Sequence, residues 1–145
     1  MSLLIASRTA QSPLVADFTF NFNDTMADTS GNVADFGETN LAATTVMIIP
    51  LPPGATVTGG AVSTTEIFDS ATVAVTLGDS GDAARYLTSA SIAAVGSIAL
   101  VPTGYAGIGE NVEMTFTVAD VCTTGSATVS VEYTVADRSC EVQIA

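Results

Sequence analysis

Asp17-Phe-Thr-Phe-Asn-Phe-Asn23 alternates apolar and polar side chains without a break. Successive strand residues point to opposite faces, so Phe18, Phe20 and Phe22 share one face while Thr19 and Asn21 share the other. The pattern predicts a strand with one buried face. The same alternation recurs in Thr72–Leu77, with Val73, Val75 and Leu77 on one side, and in Val112, Met114, Phe116 and Val118, spaced by Glu113, Thr115 and Thr117. Thr128–Val135 repeats it once more through Val129, Val131, Tyr133 and Val135.

Other stretches are less regular. Thr44–Ile49 is β-branched and almost wholly apolar, which predicts a strand covered on both faces and stopped by Pro50-Leu51-Pro52-Pro53-Gly54, because proline removes the donors a ladder needs. Ala55–Thr58 and Ala61–Phe68 predict two further strands, with a turn or bulge at Gly59-Gly60. Ser97–Val101 predicts another, ended by Pro102, and Cys140–Ile144 a terminal hairpin arm. Asp24–Asn40 lacks periodicity and reads as a long acidic loop. Asp82–Ala94 is the one place for a short helix, with Asp82 as its cap and Ala83, Ala84, Tyr86 and Leu87 in its first turns. Residues 1–16, with Ser12-Pro13 near their end, read as an N-terminal arm available for extended contact with a partner.

The tally is a single all-β domain over 17–145, a β-sandwich or jelly roll of about eight to ten strands with at most one short helix. Composition agrees. Charged residues make up 12% of the 145, too few for the charged faces of solvent-exposed helices. A chain of this length buries about 70% of the surface it exposes when unfolded, enough for one core.

Charge narrows the partners. Fifteen acids face only Arg8, Arg85 and Arg138, and the net charge is −12. Nucleic acid is excluded as a partner, because neutralising phosphates takes a basic stripe that three scattered arginines do not form. A membrane is excluded too: the apolar run after Ser2 is too short for a secretory signal, and Ile92–Val101, broken by Gly96 and Ser97, is too short to span a bilayer as a helix. A soluble protein is expected. Cys122 and Cys140 have neither the number nor the spacing of a zinc site or disulfide scaffold and read as buried thiols, with one disulfide open if the protein matures outside a reducing cytosol.

Four places in the sequence offer candidate chemistry. Gly78-Asp79-Ser80-Gly81 matches the context of the nucleophilic serine in chymotrypsin-like proteases, yet the chain has no histidine and no lysine to act as base. It reads as a strand-ending turn. The carboxylate pairs Asp79 with Asp82 and Glu110 with Glu113 lie beside turn residues and read as solvated charge. The acids Asp24, Asp28, Asp35 and Glu38 lack the spacing of a calcium loop. No catalytic residue, metal or cofactor is therefore assigned. Arg85-Tyr86 and Arg138 stand out because arginine is so scarce here; they are either interface anchors or local ion-pair partners of acids such as Asp82 and Asp137.

Three stretches in order resemble tailed-phage capsid decoration, or cement, proteins. They are Leu51-Pro-Pro-Gly-Ala-Thr-Val-Thr-Gly-Gly-Ala-Val62 with Ile67-Phe68-Asp69-Ser70, then Val75-Thr-Leu-Gly-Asp-Ser-Gly-Asp-Ala-Ala-Arg-Tyr-Leu87, then Val131-Glu-Tyr-Thr-Val-Ala-Asp-Arg138 with Glu141-Val142. The likeness spans roughly residues 44–144. It implies a jelly-roll sandwich without a cofactor, made in the host cytoplasm and carried on the virion. It also implies binding to the major capsid protein and self-association as a homotrimer or homodimer. The expected contact residues are Leu3, Leu4, Ile5 and Arg8 of the arm, Pro52 and Pro53, and Arg85 and Tyr86. A head-fibre, tail or adaptor component is the alternative within the same class. A carbohydrate-binding module fits less well, since sugar sites favour exposed aromatics and there is no Trp. A hydrolase would need two carboxylates set in a cleft.

Overall fold

A computed structural model describes residues 13–37 and 41–136. These form ten strands and no helix: β1 (Leu14–Asn21), β2 (Thr25–Ala27), β3 (Val33–Asp35), β4 (Leu41–Ile49), β5 (Ala55–Glu66), β6 (Val73–Gly78), β7 (Leu87–Ser91), β8 (Gly96–Ala99), β9 (Val112–Val118) and β10 (Ser126–Val135).

The strands build two four-stranded antiparallel sheets, β1-β10-β5-β8 and β4-β9-β6-β7, with β2-β3 as a small separate hairpin. Leaving that hairpin aside, the first of the eight sandwich strands pairs with the last, the second with the seventh, the third with the sixth and the fourth with the fifth. The chain therefore follows the path of one long hairpin folded over on itself. Its connections sort to opposite ends. Residues 50–54, 79–86 and 100–111 gather at one end, and 67–72, 92–95 and 119–125 at the other. The chain enters β1 and leaves β10 at the first of these ends, where Leu14 lies opposite Tyr133.

Alternation fills the space between the sheets. Val112, Met114, Phe116 and Val118 of β9 are all buried, as are Val73, Val75 and Leu77 of β6 and Ala127, Val129 and Val131 of β10. Phe20 from one sheet meets Phe116 from the other edge-on, with ring centroids 5.6 Å apart and planes at 83°. Phe36, just past β3, packs on both at 4.8 and 5.4 Å, which ties the small hairpin to the core. Each such ring removes apolar area from water worth about 1.5–3 kcal/mol, and edge-on contact adds to it.

Several expectations are corrected. Asp82–Ala94 is not helical: Asp82 does accept the Ala84 N–H on its carboxylate and the Arg85 N–H on its carbonyl, but Tyr86 N–H then bonds Leu77 O and the chain enters β7. Asp24–Asn40 is not one loop, since Thr25, Met26 and Ala27 pair with Asp35, Ala34 and Val33. The strand through Thr44–Ile49 begins at Leu41 and is covered on one face only, with Val46 and Ile49 buried and Met47 exposed. Ala55–Glu66 is one strand, and Gly59-Gly60 sits at a bulge: Glu132 faces Gly59 while Tyr133 faces Val57, so Thr58 has no opposite residue. The first strand starts at Leu14, inside the expected arm. Residues 1–12, Arg138 and the hairpin arm at Cys140–Ile144 lie outside the described residues.

Candidate partner-binding surface

Four of the expected contact residues, Pro52, Pro53, Arg85 and Tyr86, come together at the end where the chain enters and leaves the sandwich. The 100–111 connection joins them. Gly54 N–H donates to Gly107 O at 2.7 Å and Gly107 N–H to Ala55 O at 2.9 Å. Ala106 forms an isolated bridge with Thr56. Pro53 lies against Gly109, where an added Cβ would sit 3.5 Å from the proline Cγ. Pro52 and Pro53 are both exposed.

Asp79 organises the neighbouring turn. It is buried, and one carboxylate oxygen accepts the N–H groups of Gly81 and Asp82 at 2.9 Å each. The other accepts Arg85 Nε at 2.5 Å and lies 3.5 Å from the Tyr86 hydroxyl. Burial by itself raises the Asp79 pKa, but the Arg85 guanidinium and the two backbone donors outweigh it and hold the carboxyl below its ordinary value. The same pairing holds Arg85 above its own. So the ion-pair partner of Arg85 is Asp79, not Asp82. Tyr86 is buried, and desolvation, reinforced by the Asp79 charge, pushes its phenol up to about 12.

Arg85 also reaches across to the 100–111 connection, where its guanidinium carbon sits 3.6 Å from the centre of the Tyr105 ring. Tyr105 donates its hydroxyl proton to Glu110 Oε1 at 2.6 Å, and Ile108 N–H donates to Glu110 Oε2 at 2.7 Å. The Tyr105 hydroxyl, with backbone N–H groups behind it, lowers the Glu110 pKa; the same bond raises that of Tyr105. A chain of polar contacts thus runs from the buried Asp79 out to Ile108, which is 82% exposed, with Val101 66% exposed on the same connection. Tyr105, Glu110 and Ile108 were not expected as contact residues. The one signal for them is an apolar residue isolated between Gly107 and Gly109.

The remaining candidate strings serve the backbone. Ser80 is exposed in the turn that Asp79 caps. Asp24 accepts from Asn21 N–H, Asp28 from Ser30 and Asn32, and Asp35 from Gly37, so these three carboxylates turn inward onto their own turns. Glu38, Leu3, Leu4, Ile5 and Arg8 lie outside the described residues. At the opposite end Asp69 accepts the hydroxyl and N–H of Thr123 and the N–H of Thr124, and the Thr123 hydroxyl is the main cause of its lowered pKa. Cys122 is a buried free thiol whose pKa burial raises.

The chain is thus an antiparallel two-sheet β-sandwich whose loops at one end form a fixed, partly apolar surface. Solved phage capsid chains have a similar fold. A chain of the cyanophage Pam1 capsid asymmetric unit is 21% identical with a TM-score of 0.58, over 91% of this chain and 92% of that one. A chain of the capsid of Ralstonia phage GP4 is 11% identical with a TM-score of 0.56, over 95% of this chain and 93% of that one. At such identities the likeness is one of fold. No protein-family model and no curated protein matches the sequence.

Proposed function

We propose that the protein is a structural component of a tailed-phage virion, a decoration or cement protein of the jelly-roll type that binds the outer surface of the capsid and bridges neighbouring capsomers. The observation that carries this reading is the reciprocal, nearly full-length fold match to chains from two phage capsids. A match to one domain of a larger protein would be far weaker support. The first-with-last strand pairing supports the jelly-roll assignment, since eight strands in two interlocked Greek keys pair in that way.

The chemistry of the surface favours adhesion over catalysis. Asp79, Arg85, Tyr105 and Glu110 are engaged with one another and with backbone, an arrangement that holds loops in place. In this reading the major capsid protein is the partner. Self-association as a trimer or dimer adds further contacts, and many modest contacts on one shell act together through their high effective concentration. Quantitative mass spectrometry of particles carrying the chain tests the assignment. Hundreds of copies per particle are expected, whereas a handful would point to the tail, fibre or adaptor alternative.

A further inference from the structure

We propose that the protein docks onto its partner through the end of the sandwich that carries Ile108, with Ile108 seated in an apolar socket rimmed by cationic groups on another protein. The proposal rests on the virion reading above and adds to it which end of the molecule faces the shell.

A single exposed aliphatic side chain is ordinary on a protein surface. Ile108 differs in how firmly it is held. Its N–H is bonded to Glu110, whose other oxygen takes the Tyr105 hydroxyl. Tyr105 carries Arg85 on its face, and Arg85 is anchored by the buried Asp79. On the other flank Gly107 is bonded through both its N–H and its carbonyl to the start of β5. A loop backbone fixed in advance is not ordered at further cost on binding, which favours the side chain it carries as an anchor.

Charge selects the occupant. The same end carries the carboxylates of Asp82, in the turn after β6, and Glu110, in the 100–111 connection. Arg85 is the only cation among the described residues, and Asp79 already engages it. A second copy approaching with this end would bring the same carboxylates against these, at a repulsive cost. A partner with lysine or arginine around an apolar recess is complementary instead. The chain also enters β1 and leaves β10 here, beside Leu14 and Val135.

The test uses shells lacking the protein and measures binding of the full chain by co-sedimentation over a concentration series. Ile108→Asp is expected to weaken binding by about tenfold or more at an unchanged melting temperature. Val121→Asp, at the opposite end where Val121 is 56% exposed, is expected to bind within about twofold of the wild type. Ile108→Ser keeps the test in force if the aspartate disturbs the loop, and it too must weaken binding. Wild-type binding combined with an undiminished Ile108→Ser, or with loss confined to Val121→Asp, overturns the docking end and leaves the virion reading standing. Failure of the wild type to bind overturns both.

Discussion

The guanidinium carbon of Arg85 sits over the ring of Tyr105, 3.6 Å from its centre, and so joins the turn after β6 to the connection between β8 and β9. Arg85 spends its charge twice, on the Asp79 carboxylate and on the Tyr105 face. Two loops from different strands become one surface by this means, and Ile108 is the most exposed large apolar side chain on it.

Asp79 is the root of that chain. Replacing it with Ala removes the acceptor of two backbone N–H groups and strands the Arg85 charge, so Asp79→Ala is expected to lower stability by about 2–3 kcal/mol. Urea denaturation measures this, and a loss below about 0.5 kcal/mol, the range of an ordinary surface change, would show that the turn holds without it.

The two adjacent glycines of β5 make opposite predictions. A Cβ on Gly60, whose φ is +132°, would lie 2.1 Å from the backbone oxygen of Ser130, whereas one on Gly59 meets only the flexible end of Glu132 at 3.2 Å. Gly60→Ala is therefore expected to cost about 3 kcal/mol or more, and Gly59→Ala about 1 kcal/mol or less. Thermal melts of the two variants check the contrast; equal losses would mean that β10 can shift to make room.

Acid stability follows from the carboxylates whose folded pKa values are depressed, Asp69, Asp79 and Glu110. A depressed folded value means stability that is fully present above the unfolded value, about 4 for these groups, and lost as pH falls through the lower folded value. The melting temperature is expected to stay level from neutral pH down to about 5 and to drop below about 4. In Asp79→Asn part of that drop should vanish, because one of the titrating groups is gone.

Cys122 is buried with a raised pKa, so its thiolate population and its access are both low. In a Cys140→Ser background it is expected to react with a thiol reagent at least about tenfold more slowly in the native protein than in denaturant. Equal rates would place the Cys122 thiol at the surface.

Most of the sandwich was legible because it depends on alternation, a local property. Phe18 and Phe20 in β1, Val112–Val118 in β9 and Val129 and Val131 in β10 all face the core as their spacing predicts. Three features were not legible, each because it depends on a distant partner. Asp82 has the chemistry of a helix cap and does bond Ala84 and Arg85, but Leu77 captures Tyr86 and draws the chain into a strand. Met26 and Ala34 pair in a hairpin too short to show a period. Arg85 had several acids within reach along the chain, and burial of Asp79 decided among them. At the candidate surface Arg85 and Tyr86 stand out in the sequence by the scarcity of arginine, while Tyr105, Glu110 and Ile108 take on meaning only from the 100–111 connection lying against the start of β5.

The most direct measurement of the central claim is to add purified protein to phage shells lacking it, sediment them, count bound copies, and heat or osmotically shock the loaded shells. Saturation at hundreds of copies with greater resistance to rupture is the predicted result. Binding of a few copies, or full occupancy with no gain in resistance, would contradict a cement role.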